Sequence, residues 1–260
     1  MHIYPKKSLG QHFLKDANII RKIITAFHPP ENSMCMEIGA GTGALTESLL
    51  KKYKKNIIFT EIDKDAFGYL CKTYTRYKDM FVNTDFLTMR LTNYKSLALI
   101  GNLPYNISTQ IIFKILDNRE VVNYGVFMVQ KEVAERFAAQ PNNKNYGILS
   151  VLLQVFYNVE ILFRVSKNVF IPPPKVESAV FRITKKTDVN LSVPDKYFFF
   201  IVKKAFGMRR KMLRKSLHDI IDFSNVPEDI YLYAQKRPEQ LSKYDFLKIA
   251  DFYFKYKSDN

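Results

Sequence analysis

The sequence predicts an α/β protein built on a parallel sheet, followed by a small all-helical domain. Three observations carry this reading. Between residues 34 and 129, short apolar runs alternate with stretches of helical periodicity, the pattern of stacked βαβ units. Two alternating segments, 156–165 and 176–183, flank the rigid corner Pro172-Pro173-Pro174 and suit an antiparallel pair of strands. Beyond about Lys185 only helical patterns remain.

In chain order, apolar runs place strands at 35–38, 57–62, 80–83, 97–100 and 125–129, with helices at 44–52, 65–77 and 109–116 between them. A helical pattern from Lys131 reaches Ala139, a polar loop with a proline covers 140–145, and another helix starts at Ile148. After the two alternating strands, helices are expected at 195–206, 209–221, 230–235 and 241–255. The composition change puts the domain boundary at 186/187, with Thr187-Asp188 opening the second domain.

Length and charge narrow the function classes. A chain of 260 residues, 47% hydrophobic, suffices for one large core and a smaller appended domain. A formal charge of +15, from 40 Lys and Arg against 25 Asp and Glu, calls for a polyanionic partner, nucleic acid first. An anionic membrane surface is the weaker alternative, because the basic residues are not gathered on one amphipathic N-terminal helix. No apolar stretch approaches the roughly 20 residues that span a bilayer. His2 to Lys7 has no apolar core of a signal segment, so the cytoplasm is the expected compartment. Cys35 and Cys71 stand apart, in no CxxC or Cys/His cluster; both are expected reduced and buried, with no metal site.

Glu37-Ile38-Gly39-Ala40-Gly41-Thr42-Gly43 follows the first strand and opens a helix. Its glycines, Gly39 and Gly41 foremost, allow close backbone approach, and the helix start is expected to offer unpaired N–H groups to a carboxylate or other anion. The loop reads GxGxG with an acid two positions before it. That spacing suits the methionine portion of S-adenosylmethionine better than a dinucleotide. Glu61, at the end of the second strand, can take both ribose hydroxyls. Asp85, after the third strand, can accept from an adenine amino group while Ile62 and Phe86 sandwich the ring. For each acid alone, a solvated strand end is the alternative.

Asn102-Leu103-Pro104-Tyr105, one glycine after the apolar run 97–100, suits the exocyclic amino group of a base. That nitrogen's lone pair is delocalised into the ring, so alkylating it requires acceptors that draw it towards tetrahedral geometry. The Asn102 side-chain oxygen and the Leu103 carbonyl can accept its two N–H groups, Pro104 fixes the backbone and Tyr105 stacks on the ring. Stacking on one extruded base contributes roughly 1–3 kcal/mol, comparable to the cost of unstacking it. The bland alternative is a turn capping a buried strand.

With these motifs in order, the chain resembles the KsgA-type ribosomal RNA small-subunit adenine N6,N6-dimethyltransferases, relatives of the erythromycin-resistance methylases of large-subunit RNA. The resemblance covers nearly the whole chain. Beyond the glycine loop and Asn102–Ser108, it rests on Lys7–Leu14, Gln130–Arg136, Phe170–Val180 and Arg237–Ser242, the last separating the small-subunit enzymes from the resistance methylases. It implies a Rossmann-like class I methyltransferase sheet over 1–186 and a helical RNA-binding domain over 187–260. It also implies S-adenosyl-L-methionine as cofactor, and dimethylation of N6 on two adjacent adenosines in the 3′-terminal hairpin loop of 16S RNA within an immature small subunit. A monomer is expected. By resemblance, cofactor contacts fall on His12, Leu14, Gly39, Glu61, Asp85 and Asn102, and Phe170 lines the base pocket opposite Tyr105. His12 stands where many relatives have Asn.

Lys203, Lys204, Arg209, Arg210, Lys211, Arg214 and Lys215 crowd one region of single-sign charge after Phe206, which suits phosphate contact, with a merely solvated helix face as the alternative. Lys6, Lys7, Lys15, Arg21 and Lys22 form a second basic zone. Such contacts position RNA without reading its sequence. Three rival functions remain: a large-subunit RNA methylase, a non-catalytic ribosome-assembly factor, and a nicotinamide dehydrogenase, for which no Tyr/Lys proton relay is evident.

Overall fold

A computed structural model describes residues 3–187, 189 and 191–259 of the chain. Two units emerge. One comprises Met1–Ala134 and Asn158–Lys185, the other Glu135–Tyr157 and Lys186–Asn260.

The first unit begins with β1 (Phe13–Leu14) and α1 (Ala17–Ala26), then runs β2 (Met34–Ile38), α2 (Thr46–Tyr53), β3 (Ile57–Glu61), α3 (Lys64–Thr73), β4 (Phe81–Asn83), β5 (Leu97–Asn102), α4 (Ser108–Asp117) and β6 (Val122–Gln130). The chain crosses to the second unit within α5 (Lys131–Ala138). It continues there as α6 (Ile148–Phe156), and returns as β7 (Tyr157–Val165), β8 (Phe170–Ile171) and β9 (Ser178–Lys185). α7 (Asp195–Gly207), α8 (Leu213–Ser216), α9 (Glu228–Ala234) and α10 (Lys243–Asp259) complete the second unit.

Seven strands form one sheet in the order β4-β3-β2-β5-β6-β9-β7. β2 to β6 pair in parallel and β9 runs antiparallel to β6. The order reverses at β2: β3 and β4 lie on one side of it, β5 and β6 on the other. A crevice therefore opens beyond the carboxyl ends of these strands, where open α/β sheets bind ligands. Central strands buried on both faces need continuous apolar runs, and Leu97 to Ile100 is wholly buried. The expected α/β class and the parallel strands are borne out.

The N-terminal segment departs from the sequence reading, which assigned it no element. Asp16 caps α1 by accepting from the N–H groups of Asn18 and Ile19, worth about 1 kcal/mol. Ile23 of α1 is buried in the sheet's core, with Ile19, Ile20 and Ile24 packed against it. β1 pairs antiparallel with β8, Phe13 opposite Ile171 and Leu14 opposite Phe170, in a separate two-stranded ribbon. Cys35 is buried and its thiol is pushed up to about 12 by burial, whereas Cys71 is only half-buried.

Two further expectations are corrected. The helix expected at 209–221 is only the single turn α8. Gly207 ends α7, and Leu213 donates its backbone N–H to Lys236 O at 2.8 Å rather than continuing a helix. The boundary expected at 186/187 lies one residue from the last of three crossings, at 185/186, and 135–157 belongs with the C-terminal helices. α6 is buried from Leu149 to Phe156 and packs on α7 and α10. Asp188 lies outside the described residues.

Candidate active site

Everything at the crevice follows from where the parallel strands end. Gly39 and Gly41, just past β2, have φ of 69° and 59°, a left-handed backbone that glycine adopts without penalty. A Cβ on Gly39 would meet nothing within 4 Å, so this face of the loop is open. Glu61 ends β3, and its carboxylate accepts from Gly41 N–H at 2.7 Å and Asp63 N–H at 2.8 Å. Burial raises the Glu61 pKa, and those two N–H groups oppose the shift. Gly101 lets β5 run close to β2: a Cβ there would sit 2.6 Å from Ile38 O, so any larger residue would push Asn102 out of place.

Two adjoining cavities result. Leu9, Gln11, His12, Phe13, Gly39, Gly41, Glu61, Ile62 and Asn102 to Tyr105 line the first. The second is lined by Ile38, Thr60, Thr84, Asp85, Phe86, Leu87, Asn106, Ile107 and Ile111, and shares Leu9, Gly39, Ile62 and Pro104 with the first. Of the residues singled out from sequence, His12, Gly39, Gly41, Glu61, Ile62, Asp85, Phe86, Asn102, Leu103, Pro104 and Tyr105 are thus brought to one elongated depression.

Two are not. Leu14 is 5% exposed and packs in the core. Its strand neighbour Phe13 faces the cavity instead, because successive strand residues point to opposite sides. Phe170, opposite Leu14 across the ribbon, is 1% exposed in the same core and lines neither cavity. The ring against Tyr105 is His12, with centroids 5.3 Å apart and an interplanar angle of 28°. His12 Nδ1 donates to Pro172 O at 2.8 Å, and Asn102 Nδ2 donates to His12 O at 2.9 Å. The Tyr105 hydroxyl shares a 2.6 Å hydrogen bond with Ser178, and burial raises its pKa.

Within the glycine loop, the N–H groups of Gly39 and Ala40 donate to Thr60 O, that of Gly43 to Ala40 O and that of Gly41 to Glu61, so these four are committed internally. The surroundings are acidic. Asp63 is held below its ordinary range although burial works to raise it, because Lys6 and Gln11 hydrogen-bond its carboxylate. Glu37, fully buried under the loop, is pushed up to about 8 by burial. Thr46 opposes this by donating to it at 2.7 Å, and Glu61 adds repulsion. Glu37 is therefore uncharged at neutral pH, and it is Glu61 and Asp63 beside the loop that suit a ligand carrying positive charge more than a pyrophosphate.

One positioning residue escaped the sequence reading. Lys114 of α4 donates to Leu87 O at 2.7 Å and Met89 O at 2.6 Å, and its ammonium lies 5.7 Å from the Phe86 ring centroid. It ties down the segment carrying Asp85 and Phe86. Its local signal, a lysine in an amphipathic helix, reads as a solvated residue.

Among the basic residues, Lys203, Arg210, Lys211, Arg214 and Lys215 are exposed. Arg209 is not available in the same way: its guanidinium pairs with Glu239 at 2.8 Å and donates to Lys144 O at 2.6 Å. Lys204 pairs with Asp219 at 2.7 Å. In the second zone, Lys6 is spent on Asp63 and Asp65, at 2.6 and 2.7 Å, and the Lys7 side chain lies outside the described residues. Lys15, Arg21 and Lys22 remain exposed. No helix among the described residues is long and apolar enough to cross a membrane.

Comparison with known proteins agrees with this geometry. A family model described as ribosomal RNA adenine dimethylase matches residues 4–255. The ribosomal RNA small subunit methyltransferase A of Cytophaga hutchinsonii is 45% identical over 95% of this chain and 96% of its own. A solved dimethyladenosine transferase from Plasmodium falciparum superposes with a TM-score of 0.78 at 26% identity, over 95% of this chain and 98% of that one. The fold is also shared with the 23S rRNA methyltransferase ErmE: TM-score 0.69, 23% identity, 92% of this chain and 99% of the other.

Proposed function

The chain belongs to the ribosomal RNA adenine dimethylase family, and from that premise we propose that it uses S-adenosyl-L-methionine to dimethylate N6 of two adjacent adenosines in the 3′-terminal hairpin loop of small-subunit (16S) ribosomal RNA. One observation carries the reading. The glycine loop, Glu61 and Asn102 to Tyr105 share a single cavity, so a cofactor and a flipped base have adjoining seats. The small-subunit target is supported by relatives 42–46% identical to this chain that are named ribosomal RNA small subunit methyltransferase A.

The cofactor, when bound, supplies a sulfonium methyl that is already electrophilic. The residues here fit it: Gly39 leaves room at the loop, Glu61 lies at ribose reach, and Asp85 with Ile62 and Phe86 lines the purine end. What the protein adds is placement, for which up to about 7–11 kcal/mol is available in favourable cases. Asn102 Nδ2 is committed to His12 O, so Oδ1 is the atom that accepts the adenine amine. The Leu103 carbonyl takes the second N–H, and both bonds strengthen as the nitrogen becomes tetrahedral. Tyr105, oriented through Ser178, supports the base. A base stacking on the face that His12 covers displaces the imidazole. For the second transfer the monomethylated base rotates and keeps one N–H for one acceptor.

Exposed Arg210, Lys211, Arg214, Lys215 and Lys203 contact RNA phosphates, and the enzyme acts as a cytoplasmic monomer on an immature subunit. Methyl incorporation into purified small and large subunits lacking the modification tests this. Dimethyladenosine confined to the small subunit is expected. Methylation of large subunits alone would favour the resistance-type activity, and cofactor binding without transfer would favour an assembly factor.

A further inference from the structure

The helical unit holds a concave feature that the catalytic reading does not use. Gln140, Pro141, Tyr146, Ser150 and Gln154 face Ser242, Lys243 and Tyr244 across a cavity of about 140 Å3. Most of its polar lining is committed internally. Gln154 Nε2 donates to Phe137 O and Ala139 O, and its Oε1 accepts from Gln140. Tyr146 donates to Leu241 O, and Ser150 to Arg136 O. Asp245, the carboxylate beside Tyr146, accepts from Ser242 N–H at 2.7 Å.

Cationic donors are what remain. Lys186 donates to Gln154 O at 2.5 Å, on a residue that lines the cavity together with Lys243, and the Lys243 charge acts on its ammonium. Neither ammonium has an ion-pair partner among the described residues. Ser242 Oγ accepts from Asp245 N–H, so its own proton is free to be donated. Two ammonium groups converging with no carboxylate between them repel one another, and a bound anion removes that repulsion. Lys186 registers the strain: burial and then Lys243 push it down to about 8.

We propose that Lys186 and Lys243, with the Ser242 hydroxyl, bind one phosphoryl group in this cleft, and that a backbone phosphodiester of the RNA substrate supplies it. A tetrahedral oxyanion has enough oxygens to meet both ammonium groups and the hydroxyl at once. The RNA source rests on the function proposed above. The phosphoryl site itself does not.

The test uses the full chain with lysine side chains labelled for NMR. Inorganic phosphate is expected to shift the Lys186 and Lys243 signals together and to raise the titration midpoint of Lys186; Lys243→Gln should abolish the response at Lys186. Equal, small responses at Lys186, Lys243 and exposed Lys215 would overturn the site. Lys243→Gln leaves the Gln154 contact of Lys186 intact, so folding of the variant is guarded. In the RNA arm, Lys186→Gln/Lys243→Gln should lower the slope of log affinity against log salt by about 1. An unchanged slope beside an intact phosphate response would assign the cleft to free phosphate and overturn the phosphodiester source. Failure of the unaltered chain to bind RNA at all would refute the proposed function alone, and the phosphate titration would still decide the site.

Discussion

Replacing Glu37 by Gln gives the clearest energetic test of how the cofactor loop is built. The Glu37 carboxyl is fully buried at the end of β2, accepts the Thr46 hydroxyl at 2.7 Å, and is raised from 4.5 to about 8. A raised carboxyl stays protonated in the native state while the unfolded chain releases its proton above 4.5. Its stabilising contribution is therefore full below pH 4.5 and is lost as pH climbs to about 8. Each pH unit in that window costs about 1.4 kcal/mol, so from pH 5.5 to 7.5 the native state loses roughly 3 kcal/mol through this group. Gln has the same shape, keeps an acceptor for Thr46 and does not titrate. Urea unfolding of both proteins across this window should show Glu37→Gln gaining stability relative to Glu37 as pH rises, by about 3 kcal/mol in total. Every other titrating group is common to the two proteins and cancels. Parallel pH profiles would refute the reasoning, since they would mean that Glu37 ionises in the folded state near its ordinary value.

Other consequences can be checked directly. Lys114→Met frees the segment around Asp85 and Phe86 by removing two charge-assisted hydrogen bonds. It should raise KM for S-adenosylmethionine about tenfold or more with a smaller change in kcat, and Lys114→Arg should restore part of the loss. Arg210→Gln with Lys211→Gln should reduce the salt slope of RNA binding by about 2. Arg209→Gln should leave that slope nearly unchanged and instead lower stability by about 1 kcal/mol or less, since its partly exposed ion pair with Glu239 is screened by solvent. Filter binding and urea unfolding separate the two effects.

Much of this could be read from the sequence, and the failures share a cause. Strand-end motifs are local, so the glycine loop, Glu61, Asp85 and Asn102 to Tyr105 were legible from spacing, and the parallel sheet assembles them at the order reversal beside β2. What depends on distant partners was not. Phe13 and Leu14 exchange roles because β1 takes its register from β8, more than a hundred residues away. Phe170 is buried by the same pairing, which leaves His12 against Tyr105. Lys6 and Arg209 look like any other basic residue until Asp63 and Glu239 reach them. The helical period of Arg209 to Ile221 was genuine as a pattern but was overridden when Leu213 bonded to Lys236. Residues 135–157 join the C-terminal helices through packing that no local pattern encodes.

The most direct test of the central claim separates cofactor binding from methyl transfer in Asn102→Ala. Calorimetric affinity for S-adenosylmethionine and methyl incorporation into small subunits would be measured on the same preparation. The predicted result is an affinity within about threefold of the unaltered protein and a turnover reduced about 100-fold or more, the size of effect seen when one donor or acceptor specific to a transition state is removed. Undiminished turnover would contradict the account, because the adenine amine would then be gripped somewhere other than at Asn102.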